Sequence, residues 1–508
     1  MKKQITAALA LLLLSVSAVS CGETASETVT PGGEEGNTPA SVSAETEEAQ
    51  PDRMVILSDM KDLDFGGTTL NIDISVDSSE WSTSSVYVMG PDKETGETVQ
   101  DMVYNRNRDI ADLLNVNVNW NKSSLTYSEV LPYVEKQVMS GEDTVDLYIN
   151  DQFGLIKAMA NGYLFNFAKT ELYDSHFDFT ADGWYNTYMD QLSLLAGKRY
   201  FLVGDYFIDG VRASHVTYFN KKMMDEEFEG ADELYKLVDS GGWTFDKYLS
   251  YINEAYRDVN GDGTQDAEDV YGVFFNKCYL YYYTSDCNTL QWSPETGASL
   301  DIEIDRGALL VDKILELCSS QGRRNDPSNC SHATILEAFV NRKLLFTYWL
   351  KLADMETSGM RGMDGVGVIP YPKLDENQKE YITQVHDTAE IGASPVTVSM
   401  DKLSVVSAYL QAMTEYSAAY VMPEYYENAL KIKYSQDEQS ARMLNLIRAG
   451  ITSPCDIAYN ELLNSIITEP VTNSSSKGTN VYASTVEKRL SAAQKSFDKL
   501  IEAMKSFD

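Results

Sequence analysis

The stretch Leu-Asn-Ile-Asp-Ile-Ser-Val, residues 70–76, places an apolar side chain at every second position. This alternation is typical of a β-strand. Downstream, residues 99–114 carry apolar side chains at helical spacing, residues 116–120 alternate again, residues 130–138 form a second helical pattern, and residues 145–149 form a short apolar run. The order strand, helix, strand, helix, strand predicts a parallel α/β sheet with right-handed crossovers.

Polar residues follow the third predicted strand directly. They are Asn150, Asp151 and Gln152. Because ligands of open parallel sheets bind beyond the carboxyl ends of the strands, we expect a binding site at this edge.

Further elements continue to the C-terminus without an internal repeat. Apolar runs predict strands at residues 198–203, 216–220, 271–275, 344–348 and 366–369. Helical spacing predicts helices at residues 155–159, 245–256, 308–318, 334–340, 403–415, 424–432, 438–449 and 486–504. A chain of 508 residues is long enough for two or three domains.

The composition excludes some partners. The formal net charge of −36 argues against nucleic-acid binding and against adsorption to anionic lipid by charge. The 32 Tyr and 6 Trp are mostly expected to pack in the core, but they also suit sites that stack on flat apolar faces.

Residues 258–269 read Asp-Val-Asn-Gly-Asp-Gly-Thr-Gln-Asp-Ala-Glu-Asp, which matches the spacing of an EF-hand-type calcium loop. Gly263 stands at the turn position, and Asp269 replaces the usual final Glu, so its bidentate reach is shorter. A helix leads in and a strand leads out, which favours structural Ca²⁺ over a switch. A solvated acidic turn is the alternative. The predicted ligands are Asp258, Asn260, Asp262, Thr264 through its carbonyl, Asp266 and Asp269.

The first 21 residues are typical of a bacterial lipoprotein signal. Lys2 and Lys3 precede an apolar segment at residues 7–14, and small residues lead to Cys21, the predicted site of lipidation. An ordinary signal peptide cut before Cys21 is the alternative. Residues 22–52 hold many acidic and small polar residues and no aromatic residue, which predicts a disordered acidic tether. The signal and tether together predict a protein anchored by lipid on the extracytoplasmic face of the cell membrane.

Five further cysteines stand at positions 278, 287, 318, 330 and 455. Because their number is odd, they cannot all pair within the chain. We expect mostly buried free thiols, and a single disulfide is the alternative that the sequence also allows.

No nucleophile-elbow, zinc-protease or phosphate-loop motif is present, and the four His are far apart in sequence. Paired carboxylates could still form a glycosidase site, since acidic residues are abundant. Because nothing in the sequence singles out such a pair, we predict that the protein is not an enzyme. A secreted glycoside hydrolase and a surface glycan-binding adhesin remain the alternatives.

Several short sequence motifs, in their order along the chain, resemble those of the family 1 extracellular solute-binding proteins of ABC importers, the sugar-binding lipoprotein class. They are the lipobox-like start, Tyr-Phe-Asn-Lys at 218–221, Trp-Thr-Phe at 243–245, Tyr-Gly at 271–272, the run at 366–372 and the run at 434–438. The resemblance implies an α/β, two-lobed periplasmic-binding-protein-like fold with a hinge and an interlobe ligand cleft. Its implied boundaries are lobe 1 at residues 53–216, lobe 2 at 217–390, and a hinge return with shared C-terminal helices at 391–508.

The family implies a monomer that captures a carbohydrate, here expected to be an oligosaccharide, and delivers it to the transmembrane subunits of an ABC permease. Aromatic rings cover the apolar face of a sugar, and polar side chains bind its hydroxyl rim. For each aromatic residue, ordinary packing is at least as good an explanation. Trp349 and Asp151 are the foremost candidates, because each follows a predicted strand. The predicted sugar contacts are Asp151, Gln152, Trp184, Asp205, Tyr206, Trp292, Tyr348 and Trp349.

Overall fold

The computed structural model describes residues 53–75, 85–141, 143–276, 278–386, 389–433, 438–452 and 455–507. The predicted signal, the lipidation site Cys21 and the predicted tether at 22–52 therefore lie outside the described residues, as do most residues of the run at 434–438.

The described residues contain both helices and strands in alternation. The strands are β1 Thr68–Ser75, β2 Val116–Ser123, β3 Leu147–Asp151, β4 Thr217–Asn220, β5 Val273–Phe274, β6 Leu290–Ser293, β7 Gly297–Leu300, β8 Arg323–Arg324, β9 Val366–Ile369, β10 Thr383–Gln384, β11 Glu390–Ala393 and β12 Ile451–Thr452. The helices are α1 Ser85–Met89, α2 Thr98–Leu114, α3 Val130–Ser140, α4 Gln152–Ala160, α5 Asn186–Ser193, α6 Asp209–Arg212, α7 Lys221–Glu227, α8 Ala231–Asp239, α9 Phe245–Ala255, α10 Tyr279–Thr284, α11 Ile304–Ser319, α12 His332–Val340, α13 Ser358–Gly362, α14 Met400–Tyr416, α15 Met422–Lys433, α16 Glu438–Ala449, α17 Cys455–Tyr459, α18 Thr468–Lys477 and α19 Tyr482–Lys505.

The alternating stretch at the start of the domain becomes β1, near the centre of a four-stranded sheet with the order β11-β3-β1-β2. β1 pairs in parallel with β2 and with β3, as the sequence predicted. The edge strand β11 is antiparallel to β3, with Glu390 opposite Asp151. Leu70, Ile72 and Ile74 are fully buried, so this sheet carries the first part of the core.

A second layer of short strands is built from residues 217–369. β4 pairs antiparallel with β9, and β5 pairs in parallel with β8. Two single bridges, Phe219 with Phe346 and Tyr271 with Leu344, place residues 344–346 between them. The segment predicted as a strand at 344–348 therefore lies in the sheet, but it makes single bridges in place of a continuous ladder.

One other sequence prediction is wrong in detail. Residues 198–203 do not form a strand, because only Leu202 bridges to the edge strand β11, at Gly392. Another short apolar run, Tyr281–Tyr283, lies inside helix α10 with all three rings buried. Short apolar runs suit a buried helix as well as a strand, so periodicity could not separate the two.

The five cysteines at 278, 287, 318, 330 and 455 are free thiols. Within the described ranges, no helix is long and apolar enough to cross a membrane.

The hairpin of β6 and β7 is fastened to helix α17 by one buried carboxylate. Both oxygens of Asp456 accept backbone N–H groups, from Thr289 at 2.7 Å and from Leu290 at 2.9 Å. Burial raises the pKa of Asp456 to about 6, although these two hydrogen bonds act in the opposite direction.

This raised pKa predicts a specific pH dependence of stability. The unfolded pKa of an aspartate is about 3.9, so folding binds a proton more tightly, and this contribution to stability is present below about pH 4 and lost above about pH 6. In Asp456→Asn we expect the fall in the free energy of unfolding between pH 4 and pH 7 to be smaller than in the wild type, by about 2–3 kcal/mol.

Urea unfolding at both pH values measures this difference. The matched control is Asp286→Asn, because Asp286 is an exposed carboxylate in the segment between α10 and β6; this variant should follow the wild type. Equal pH slopes in the wild type and Asp456→Asn would contradict the prediction.

Candidate functional site

Three chain segments meet between the four-stranded sheet and the layer of short strands. His215 donates its backbone N–H to the carbonyl of Gln384 at 2.9 Å, and His386 donates to the carbonyl of Ala213 at 2.9 Å. Val216 donates to the carbonyl of Leu350 at 3.1 Å. The segments that enter β4, follow residue 348 and leave β10 are therefore hydrogen-bonded to one another, which is the arrangement expected of a hinge.

Trp349 lies at this junction among aromatic and imidazole rings. Its ring centroid is 4.9 Å from that of His215, 5.3 Å from that of Tyr279 and 5.9 Å from that of His386. Trp349 is half-buried, and its backbone N–H donates to the hydroxyl of Tyr371 at 2.8 Å. We call Trp349, His215, Tyr279 and His386 the Trp349 cluster.

The backbone of Trp349 is held in an uncommon conformation. Its φ of +70° lies in the left-handed region, which side chains other than glycine adopt at an energetic cost. Such positions occur where the surrounding structure fixes a side chain for function. The hydrogen bond from Trp349 to Tyr371 helps to hold this turn, which directs the indole toward the junction.

The imidazoles of the cluster are uncharged at neutral pH. Burial, followed by the charge of Lys351, lowers the pKa of His215 to about 3. Burial also lowers the pKa of His386 well below its ordinary value. Nδ1 of His215 is buried and has no hydrogen-bond partner among the described residues. Neutral rings with polar edges suit a ligand that is both apolar and hydroxylated.

Charged side chains flank the cluster in paired form. Asp354 accepts the backbone N–H of Lys351 at 2.6 Å and lies 2.8 Å from Nε2 of His332. Burial lowers the pKa of Lys351.

A second polar contact crosses between α6 and the segment after residue 351. Arg212 donates to both carboxylate oxygens of Glu356, at 2.8 and 3.0 Å. The hydroxyl of Tyr425 also donates to Glu356, at 3.1 Å, and the Arg212 guanidinium lies 3.8 Å from the ring centre of Tyr87. These contacts tie elements that adjoin the junction.

Asp151 ends β3, as predicted, but its carboxylate caps helix α4. It accepts the backbone N–H groups of Phe153 at 2.9 Å and Gly154 at 3.3 Å. Phe153 contacts the exposed ring of Tyr127, with centroids 6.3 Å apart. The carboxyl edge of the sheet therefore also offers aromatic surface that the sequence analysis did not select.

Other predicted sugar contacts are buried inside the protein in this structure. Gln152 accepts a hydrogen bond from the hydroxyl of Tyr188, and the indole N–H of Trp184 donates to Gln411. Tyr206 donates to the carbonyl of Leu202, and the hydroxyl of Tyr348 accepts the N–H of Leu280. Their geometry gives these residues a packing role, and a role in ligand binding stays a prediction.

Asp205 and Trp292 are the two remaining predicted contacts. Asp205 is buried, pairs with Arg448 at 2.6 Å and accepts the hydroxyl of Tyr185 at 2.8 Å. Burial raises the pKa of Asp205 to about 6, and Arg448 opposes this shift. Trp292 lies on β6 and lines two cavities, and its indole N–H has no acceptor in the part of the chain that the structure describes.

Sequence reasoning missed His215, His386 and Tyr279 as site residues. The two His are far apart in sequence, and only the hinge brings them together. A usable signal was present for His215, because it stands directly before the predicted strand at 216–220, where the chain was expected to change lobes.

The loop at 258–269 has the turn geometry that its sequence predicted. Gly261 and Gly263 have φ of +72° and +74°, and Asp258 accepts the N–H groups of Gly261 and Gly263. Asp269 is fully buried beneath the loop. The donor types fit Ca²⁺, but among the described residues no three His, Cys, Asp or Glu side chains are gathered as metal ligands.

No protein-family model matches this sequence, and no curated protein matches it. Solved structures do match the fold. The ABC substrate-binding protein of Listeria monocytogenes, in complex with cycloalternan, has a TM-score of 0.52 at 13% identity, over 85% of this chain and 99% of its own.

Two further structures agree. A cyclo/maltodextrin-binding protein complexed with maltotetraose has a TM-score of 0.51 at 12% identity, over 86% of this chain and 97% of its own. The galacto-N-biose/lacto-N-biose I-binding protein of an ABC transporter from Bifidobacterium longum has a TM-score of 0.50 at 13% identity, over 87% of this chain and 98% of its own. The chain therefore has the two-lobed, periplasmic-binding-protein-like fold that these ABC-transporter sugar-binding proteins share, which confirms the predicted fold class.

Proposed function

We propose that this protein is the solute-binding component of an ABC transporter, which captures an oligosaccharide outside the cell and delivers it to a membrane permease. The observation that carries the proposal is the Trp349 cluster at the hydrogen-bonded junction of the two sheets. The cluster offers a half-buried indole, two neutral imidazoles and a tyrosine ring. A sugar presents matching surfaces, with an apolar face for the rings and hydroxyls for the polar edges.

The mechanism needs binding and closure, with no covalent chemistry. A ligand that touches both lobes only in the closed form shifts the population toward that form. Asp151 and Glu390 lie at the edge of the first sheet, opposite each other, and Trp349 follows the second layer. A ligand held between these edges would therefore couple binding to domain closure.

Calorimetry of the purified protein with a panel of plant and host glycans tests the function, with analysis of products alongside. We expect saturable binding of at least one neutral oligosaccharide and no cleavage. Cleaved product would favour the glycoside hydrolase. The absence of binding across the panel would overturn the proposal that the ligand is a sugar. Retention of glycans by whole cells without uptake would favour the adhesin.

We also propose that residues 258–269 bind a structural Ca²⁺. Support comes from the ordered oxygen donors, the two positive-φ glycines, and the buried carboxylate of Asp269, whose oxygen is 3.1 Å from the backbone nitrogen of Val259. In the bound state Asp258, Asn260, Asp262, Asp266 and Asp269 would turn their oxygens toward the ion, and Thr264 would contribute its carbonyl. Ca²⁺ would neutralise charge that the loop otherwise concentrates.

Calcium should raise the melting temperature, because it binds the folded state. At a Ca²⁺ concentration one hundred times Kd, the free energy of unfolding should rise by about 2.7 kcal/mol, and Asp262→Ala should remove most of this gain. Differential scanning calorimetry with Ca²⁺ and with chelator measures this. Asp225→Ala, outside the loop, should keep the full gain. A melting temperature unaffected by chelator would contradict the proposal.

The proposed anchor is a lipid on Cys21, with residues 22–52 as the spacer to the folded body. Mass spectrometry of the native N-terminus should find a mature chain that begins at a diacylated Cys21. A mature chain with an unmodified Cys21 would instead favour an ordinary secreted form.

A further inference from the structure

The Trp349 cluster is continued by a row of tyrosine rings along helix α10. The centroid of Tyr279 is 5.3 Å from that of Trp349 and 6.3 Å from that of Tyr283. Tyr279 and Tyr283 stand four residues apart, so they lie on the same face of α10. The row leads away from the hinge junction and ends at a cavity, because Tyr283 also lines that cavity.

The cavity has a volume of about 260 Å³. This is slightly below the range of about 300–1,000 Å³ for sites that take drug-sized ligands, so it suits one ring unit. Its walls come from α5, α10, β6, the β10–β12 pair and α17, which meet here from distant parts of the chain. The lining residues are Gln191, Tyr283, Asp286, Asn288, Leu290, Gln291, Trp292, Ile382, Gln384, Thr452, Cys455 and Asp456.

The polar lining is rich in uncharged amides, from Gln191, Asn288, Gln291 and Gln384. An amide both donates and accepts hydrogen bonds, as a sugar hydroxyl does, so the two are complementary in either orientation. Nε1 of Trp292 is buried, and no described residue accepts a hydrogen bond from it. A buried donor of this kind is costly unless a ligand or water accepts from it.

The charges around the cavity have one sign. Asp286 and Asp456 line it, and none of the lining residues is Lys or Arg. Asp456 is held by the backbone N–H groups of Thr289 and Leu290, at the start of the strand that carries Trp292. A carboxylate or phosphate on the ligand would face this negative lining without a cationic partner, which disfavours acidic sugars.

We infer that this cavity is a second subsite for an uncharged sugar ring. The ligand is then a neutral oligosaccharide that runs from Trp349 along Tyr279 and Tyr283 and places a distal ring beside Trp292. The inference rests on the proposed function and adds to it the place of a distal subsite, beside Trp292, and the physical reason why the ligand carries no negative charge.

Calorimetry on the full chain tests the inference with glucose, maltose, maltotriose and maltotetraose, with cellobiose, cellotriose and cellotetraose, and with trigalacturonate as the acidic probe. In the wild type we expect affinity to rise by about tenfold or more from the shortest bound member of a series to the trisaccharide or tetrasaccharide, as a second subsite is filled. Trigalacturonate should bind at least about tenfold more weakly than the best neutral trisaccharide.

Trp292→Ala should abolish the gain with chain length, so that the affinity for the trisaccharide and tetrasaccharide falls by about tenfold more than the affinity for the shortest bound sugar. Gln291→Ala should reduce the same gain and provides a second variant if Trp292→Ala does not fold, which thermal unfolding would reveal. Trp349→Ala should weaken the binding of every member of the series.

The outcomes separate the two proposals. If sugars bind and depend on Trp349, but neither Trp292→Ala nor Gln291→Ala changes the ratio of long to short ligands, the subsite is wrong and the proposed function stands. Tighter binding of trigalacturonate than of neutral trisaccharides would overturn the inferred charge preference. If no sugar binds the wild type, the proposed function fails, and the subsite fails with it.

Discussion

Trp349→Ala should weaken oligosaccharide binding by about 1–3 kcal/mol, which is about 5-fold to 150-fold in Kd. The expected loss has two sources. The variant removes a half-buried indole that is in ring contact with His215, Tyr279 and His386. It also relaxes the cluster, because the neighbouring rings pack against the indole. Trp349→Phe should recover part of the loss, since a smaller ring keeps the stacking face.

Calorimetry with the tightest ligand of the glycan panel measures the effect. Tyr163→Ala is a suitable control, because Tyr163 follows the C-terminal end of α4, away from the carboxyl edge of the sheet, and its hydroxyl contacts Glu135. The control should bind like the wild type. Unchanged affinity in a folded Trp349→Ala variant would remove the main support for the proposed site.

Arg106→Ala should lower the free energy of unfolding by about 3–5 kcal/mol. Arg106 is fully buried on α2, and its guanidinium donates to the carbonyls of Val88 at 2.8 Å and Tyr206 at 3.1 Å and to the hydroxyl of Ser417 at 2.6 Å. Burial lowers the pKa of Arg106 to about 10, so the group stays charged at neutral pH. The alanine variant would leave a cavity and buried carbonyls without this donor.

Arg108→Ala is the matched control for this measurement. Arg108 lies on the same helix, but its side chain is half-exposed, pairs with the adjacent Asp109 at 2.8 Å and lies 5.8 Å from the ring centre of Tyr104. A pair of this kind contributes at most about 1 kcal/mol. Urea unfolding of both variants should therefore separate them clearly. Equal losses in the two would show that the buried hydrogen bonds of Arg106 contribute little.

The first sheet was predictable because its signal is local. The alternation at residues 70–76 and the helical spacing at 99–114 reflect which side chains are buried in each element, and burial of one face repeats within a few residues. The same reason explains the success at α9, α16 and α19. The glycines of the 258–269 loop were also readable, because a positive φ is a property of a single residue.

The site was only partly predictable. Trp349 was selected because it follows an apolar run, and the structure does place it at the junction. Gln152 and Tyr348 were selected by the same reasoning, yet their side chains are directed into the core. Position after a strand fixes where a backbone lies, but the direction of a side chain depends on neighbours from distant segments.

The sequence by itself determined the α/β order of the first sheet, the main helices and the glycine turns of the 258–269 loop, because each is encoded by spacing within one short segment. Only the tertiary structure decided that His215, Tyr279, Trp349 and His386 lie together, that residues 281–283 are helical, and that residues 344–346 lie within a layer of short strands. These features depend on contacts between residues that are far apart in the chain, and the free energy of such contacts is set by packing and hydrogen bonding in the folded state.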